Sequence, residues 1–152
     1  MTKYISEYIL RSEYECSHCH ALPPDIQWNL DHLKPELPYM YAELFEMFGN
    51  LRKEWGRAIP INSGYRCPDY NKQLVSAGYA SPLSVHVFGL AIDCECKDVK
   101  EVTDMSNLLE ELHPELRMGV YKDTATFIHI DNGFVITPRA SKKWIEGNRW
   151  YG

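Results

Sequence analysis

The sequence predicts an α+β fold, a single domain in which helices pack on a small, mostly antiparallel sheet. Three observations predict it. Apolar residues between 36 and 55 recur at alternating steps of three and four, the period of a helix face. The segment GLAIDCECK at 89–97 alternates instead, the period of a strand. Two further strand-like segments follow closely, at 118–122 and 126–131. The chain has 152 residues, the usual size of one domain, so it can bury a core of its own.

Residues 1–34 read as an irregular leader packed on that domain, broken at Pro23-Pro24. After Pro38 the first clear element appears. Leu37, Tyr41, Leu44, Phe48, Leu51 and Trp55 share one helix face, and Gly56 marks the end. AIPINSGY, 58–65, reads as a short strand. Pro68 opens a second helix, PDYNKQLVSA, that stops near Gly78. Residues 79–85 form a loop into the strand of 89–97. Val99, Val102, Leu108, Leu109 and Leu112 define a helix ending before Pro114. MGVYK and TFIHID are the next two strands, and FVIT is expected as another, running to Pro138. The tail carries Trp144, Trp150 and Tyr151, expected to fold back onto the core.

Charge and composition exclude several classes. A net charge of −5 argues against nucleic acid as a partner. The modest basic cluster of Arg139, Lys142, Lys143 and Arg149 reads as a solvated face. No run of about 18 apolar residues exists, so no membrane span is expected. The first fifteen residues mix charges and lack the apolar stretch of a secretory signal. The expectation is a protein made in the cytoplasm. Five cysteines, an odd number, argue against a full disulfide framework.

The chemistry is carried by three residues. Catalytic zinc needs three protein ligands and one open position, and neutral imidazole and carboxylate both suit it. His86 and Asp93 lie seven apart, with the small residues Gly89 and Ala91 between them. Asp93 follows Leu90, Ala91 and Ile92 inside a strand, where a carboxylate is costly to bury unless paired or metal-bound. His129 sits in a second apolar strand and is the natural third ligand.

The pattern S-x-H-x-x-G-x-A-x-D at 84–93, followed by the strand F-I-H-I-D at 127–131, resembles the LAS metallopeptidases. These are the zinc D-Ala-D-Ala carboxypeptidases and L-alanyl-D-glutamate endopeptidases, including phage endolysins. Asn62–Asn71 resembles the SGYRxPxxN segment of the same family. The resemblance covers about residues 36–135, and the cysteine-containing leader is similar to that of phage-type members. It implies a hedgehog/D-Ala-D-Ala carboxypeptidase-like fold. It implies that His86, Asp93 and His129 hold Zn2+, and that Arg66 binds a substrate carboxylate or the developing oxyanion. It implies hydrolysis of a peptide bond in peptidoglycan stem peptides by a monomer, released by lysis machinery or carried in a virion. Ser84 matches the family's serine, as a hydrogen-bonding neighbour of a ligand or a turn residue.

One departure stands out. Many members place an acid three residues before the last zinc histidine, or a histidine two before it; here these positions hold Thr126 and Phe127. Asp131 is the replacement candidate, because i and i+2 of a strand share a face. It is expected either to accept a proton or to orient a ligand histidine. Tyr121 and His113 read as structural. Glu95 shares the face of Asp93, whereas Cys94 and Cys96 point away, into the core. Cys16-Ser17-His18-Cys19-His20 matches the haem-attachment pattern, which requires export; the alternative is a structural zinc on Cys16, Cys19, His20 and Cys67. Two further readings accompany the endopeptidase: a carboxypeptidase on the same fold, and a zinc-holding module without activity, like the hedgehog domains that resemble this family.

Overall fold

The computed structural model describes residues 3–135 and 149–151. The leader is more ordered than its sequence suggested. It contains a small hairpin of β1 (Tyr4–Ser6) and β2 (Ile9–Leu10), one helical turn α1 (Arg11–Tyr14), and helix α2 (Pro24–Asp31), which Pro24 opens at its first turn. Ile9, Tyr14 and Ile26 are wholly buried, so the leader belongs to the core.

Helix α3 (Tyr39–Trp55) buries Tyr41, Leu44, Phe48 and Leu51 of the predicted face together with Phe45, while Leu37 precedes the helix and Trp55 is half-buried at its end. β3 (Ile61–Ser63) follows, then α4 (Pro68–Ser76), with Pro68 in its first turn. β4 (Ala91–Glu95) leads to α5 (Val99–Leu112). Asp98 starts α5 by accepting the Glu101 N–H at 2.8 Å, a standard N-cap. The helix ends at Leu112, with His113 between it and Pro114. β5 (Arg117–Tyr121) and β6 (Phe127–Asp131), the two strands expected from the sequence, pair as a hairpin, and β7 (Arg149–Tyr151) closes the edge.

The main sheet has the order β3-β4-β6-β5-β7. Three of its pairings are antiparallel, and only β5 with β7 is parallel. With helices packed against it, this is the predicted α+β architecture. Strand parity divides the sheet. Ile92, Cys94, Met118, Val120, Ile128 and Ile130 are buried on one face, in one core with Leu44 and Phe48 of α3 and Val102, Met105 and Leu109 of α5. The odd positions Asp93, Gly119, His129 and Asp131 therefore fall on the other face.

The expected FVIT strand does not form at its start. Gly133–Val135 is a 3-10 turn, and residues 136–138 lie outside the described residues. The cause is local. Asp131 Oδ1 accepts the Gly133 N–H at 2.8 Å and turns the chain immediately after β6. Of the tail, Trp150 does return to the sheet, whereas Tyr151 is exposed. Trp144, with Arg139, Lys142 and Lys143, lies outside the described residues.

Candidate metal centre

Asp93 and His129 meet because β4 and β6 pair in a register that sets them directly opposite each other. Facing residues of an antiparallel pair hold their Cβ atoms about 5 Å apart, and here His129 Nδ1 reaches Asp93 Oδ1 at 2.8 Å. His86 arrives from a different direction. It sits in the 3-10 turn Val85–Phe88, which ends at Gly89. Gly89 has φ +73°, a left-handed conformation that glycine adopts without penalty. The buried Tyr14 hydroxyl donates to its carbonyl and fixes the turn. His86 Nε2 lies 3.2 Å from the same Asp93 oxygen.

The donor atoms of His86, Asp93 and His129 all lie within 4.8 Å of one another. Each imidazole is oriented through its other nitrogen. His86 Nδ1–H donates to the Gly64 carbonyl at 2.7 Å, leaving Nε2 for the cluster. His129 Nε2–H donates to Asp131 Oδ2 at 2.7 Å, leaving Nδ1. Such outer partners select the tautomer that a metal ligand needs. Two imidazoles and one carboxylate are a donor set of catalytic zinc, with a fourth position left for water. The residues fit the ion that the sequence implied.

The charges agree with that geometry. Burial alone would raise the pKa of Asp93, but His86 and His129 outweigh it and hold the carboxyl well below the usual range. Burial alone would lower that of His129, but its hydrogen bonds to the carboxylates of Asp131 and Asp93 raise it to about 9. Asp131, which burial would also raise, is drawn down to about 2 by His129 and by Arg117. Its carboxylate is fully enclosed, with Arg117 Nε at 2.7 Å and Nη2 at 3.3 Å.

Arg66 stands beside this cluster. Its backbone N–H donates to the His86 carbonyl at 3.0 Å, tying the two segments together. Its Nη1 donates to Asn71 Oδ1 at 3.0 Å and Ser84 Oγ at 3.3 Å. Burial lowers the pKa of the guanidinium, and the negative charge of Asp93 works against that lowering. Ser84 thus contacts Arg66 through its hydroxyl.

Other candidates lie elsewhere. Thr126 Oγ1 donates to the Cys96 carbonyl at 2.7 Å, and Phe127 stacks on Tyr121 with ring centres 4.2 Å apart. Glu95 is exposed, and Cys94 and Cys96 are buried in the core. His113 caps α5, 3.4 Å from Asn50 Nδ2.

Three residues escaped the sequence reading. Arg117, buried in β5, clasps Asp131 across the hairpin. Trp150 comes within 5.3 Å of the His129 ring, centre to centre, and donates from Nε1 to the Tyr121 hydroxyl at 3.0 Å. Asn71, buried, holds Arg66 and is itself held by the Ser81 carbonyl at 3.1 Å. Only Asn71 carried a signal, as the last residue of the SGYRxPxxN segment.

Comparison with known proteins gives one family. No curated protein and no solved structure matches the chain significantly. A family model described as peptidase M15 matches residues 18–131, a span that contains all three metal-site residues and Arg66. Over three quarters of its length, then, this chain belongs to the peptidase M15 family of metallopeptidases.

Proposed function

We propose that the chain is a zinc peptidase that hydrolyses a peptide bond in peptidoglycan stem peptides, as an endopeptidase of endolysin type. The observation that carries the reading is the convergence of His86 Nε2, Asp93 Oδ1 and His129 Nδ1 beside Arg66. The peptidoglycan substrate rests on the likeness of the 62–71, 84–93 and 127–131 segments to the LAS enzymes.

His86, Asp93 and His129 would hold the zinc ion, which when bound would supply Lewis-acid activation of water and of the peptide carbonyl. The chain's own residues do the rest. Gly64 and Asp131 keep the two imidazoles in their ligating tautomers. Arg117 keeps Asp131 ionised and in place. Asn71 and Ser84 hold the Arg66 guanidinium, which is permanently charged and matches a substrate carboxylate or a developing oxyanion. Of the two roles open to Asp131, we assign it the orienting one. Its oxygens are engaged by His129, Arg117 and the Gly133 N–H, and its side chain is closed to solvent.

A second reading, a zinc-holding module without turnover, draws on one observation: the Thr126 hydroxyl is spent on the Cys96 carbonyl and Phe127, stacked on Tyr121, offers no acid or base. The decisive experiment compares wild type with His86→Ala and Asp93→Ala. We expect wild type to bind zinc at this centre and degrade purified cell wall, and both variants to lose that zinc and the activity. Wild-type hydrolysis by a variant whose centre holds no metal overturns the proposal. Zinc binding without hydrolysis establishes the module instead. Mass analysis of released fragments identifies the bond, and cleavage only at terminal D-Ala would make the enzyme a carboxypeptidase. Action at the cell wall, reached through lysis machinery or a virion, belongs to the same proposal.

A further inference from the structure

A second group of metal-binding side chains lies away from the first. The sulfur atoms of Cys16, Cys19 and Cys67 all lie within 4.8 Å of one another, and all three are free thiols. Cys16 and Cys19 come from the turn after α1, spaced C-x-x-C; Cys67 is the N-cap of α4. The sequence placed Cys16, Cys19, His20 and Cys67 together, and the structure brings together the three cysteines. His20 turns outward instead, with Nδ1 on Glu15 Oε1 at 3.2 Å.

Backbone N–H groups point at two of the sulfurs; against burial they draw the Cys16 thiol down, whereas burial pushes the Cys67 thiol up to about 11. The Cys67 N–H donates to Cys16 Sγ at 3.4 Å, and the Tyr70 N–H donates to Cys67 Sγ at 3.4 Å. The N–H groups of His18 and Cys19 also act on the Cys16 sulfur. N–H donors aimed at a sulfur favour its charged form, which is the form that ligates metal. The group is graded in exposure, with Cys16 buried, Cys67 half-buried and Cys19 at the surface. An ion can therefore enter from the Cys19 side. Three uncoordinated thiols held this close otherwise gain little, since sulfur is a weak hydrogen-bonding partner.

We propose that Cys16, Cys19 and Cys67 bind a second, structural zinc ion, with His18 or a water completing the tetrahedron. Sulfur-rich tetrahedral sites select zinc among the common divalent ions. The three thiols release their protons as the ion binds. The ion joins the leader to the residue directly after Arg66. That segment is already tied on both sides, by the Tyr65 N–H to the Tyr14 carbonyl at 2.6 Å and the Arg66 N–H to the His86 carbonyl. The second ion thus acts as a clamp on the strut that carries Arg66.

The test uses reduced, full-length protein. Native mass spectrometry is expected to find two zinc ions per chain in wild type and one in Cys19→Ser. Cys19 is exposed, so its replacement leaves the packed core alone. After cobalt substitution, wild type should show a near-ultraviolet thiolate-to-cobalt charge-transfer band. That band should vanish in Cys19→Ser and persist in His86→Ala, because the first centre contains no sulfur. A zinc content equal in wild type and Cys19→Ser, or a cobalt derivative without the thiolate band, overturns the proposal. A band that survives in Cys19→Ser also overturns it.

Discussion

Asp131 shows how much a single side chain does here. One oxygen orients His129; the other holds the turn after β6; Arg117 touches both. If its role is to position His129, Asp131→Asn should weaken metal binding by about 10–100-fold, the usual effect of losing such a partner. Turnover at saturating zinc should fall much less. Titration of the variant with zinc, followed by assay at saturation, separates the two. Loss of turnover with unchanged zinc affinity would instead make Asp131 the proton acceptor. At this scale the cluster of His86, Asp93 and His129 was legible in part from residue type, since a carboxylate in an apolar strand needs a partner. Arg117 was not legible. Its partner lies fourteen residues away across a hairpin, and only the strand register brings the two together.

At the scale of elements, the centre depends on close backbone contact between the leader and the segment after β3. A Cβ placed on Gly64 would stand 2.6 Å from the Tyr14 carbonyl oxygen and 2.7 Å from its Cα. Both are backbone atoms, so neither can swing aside. Gly64→Ala should therefore cost about 1–3 kcal/mol of stability. It should also weaken zinc binding, because the Gly64 carbonyl orients His86. Denaturant unfolding and zinc titration of the one variant check both effects, and a variant with wild-type stability would contradict the packing argument. The long elements were readable from sequence, since α3 and α5 each repeat their apolar face over several turns. β1, β2 and β7 were not. Strands of two or three residues contain no measurable period, and β7 pairs in parallel with a strand far back in the chain.

The whole molecule responds to pH through the same cluster. In protein stripped of metal by chelation, His129 titrates at about 9, against roughly 6.5 for a histidine in an unfolded chain. A raised pKa stabilises the fold fully below about 6.5, and that contribution disappears as pH climbs through about 9. Asp93 and Asp131 act in the opposite direction. Both are depressed, so their contribution is present above the unfolded carboxylate range and is lost in acid. Stripped protein should accordingly be most stable between about pH 4 and 6.5 and lose stability on either side. Zinc removes the alkaline loss, because the metal takes the position of the ligand protons and binds better as they leave. Urea melts across pH, with and without zinc, measure both curves. Stripped protein equally stable at pH 6 and 9 would contradict the charge arrangement.

The cysteine group has a consequence for the unfolded chain as well. It connects positions 16 and 19 with position 67, and the stretch between them contains α2 and α3. A cross-link at that point closes a loop of about fifty residues, worth about 4 kcal/mol in chain entropy by the loop-closure relation for disulfides. The gain comes from the states the unfolded chain can no longer visit, not from any contact in the folded one. A protein whose reactive centre must stay open at one coordination position can thus recover stability from a closed centre elsewhere in the chain.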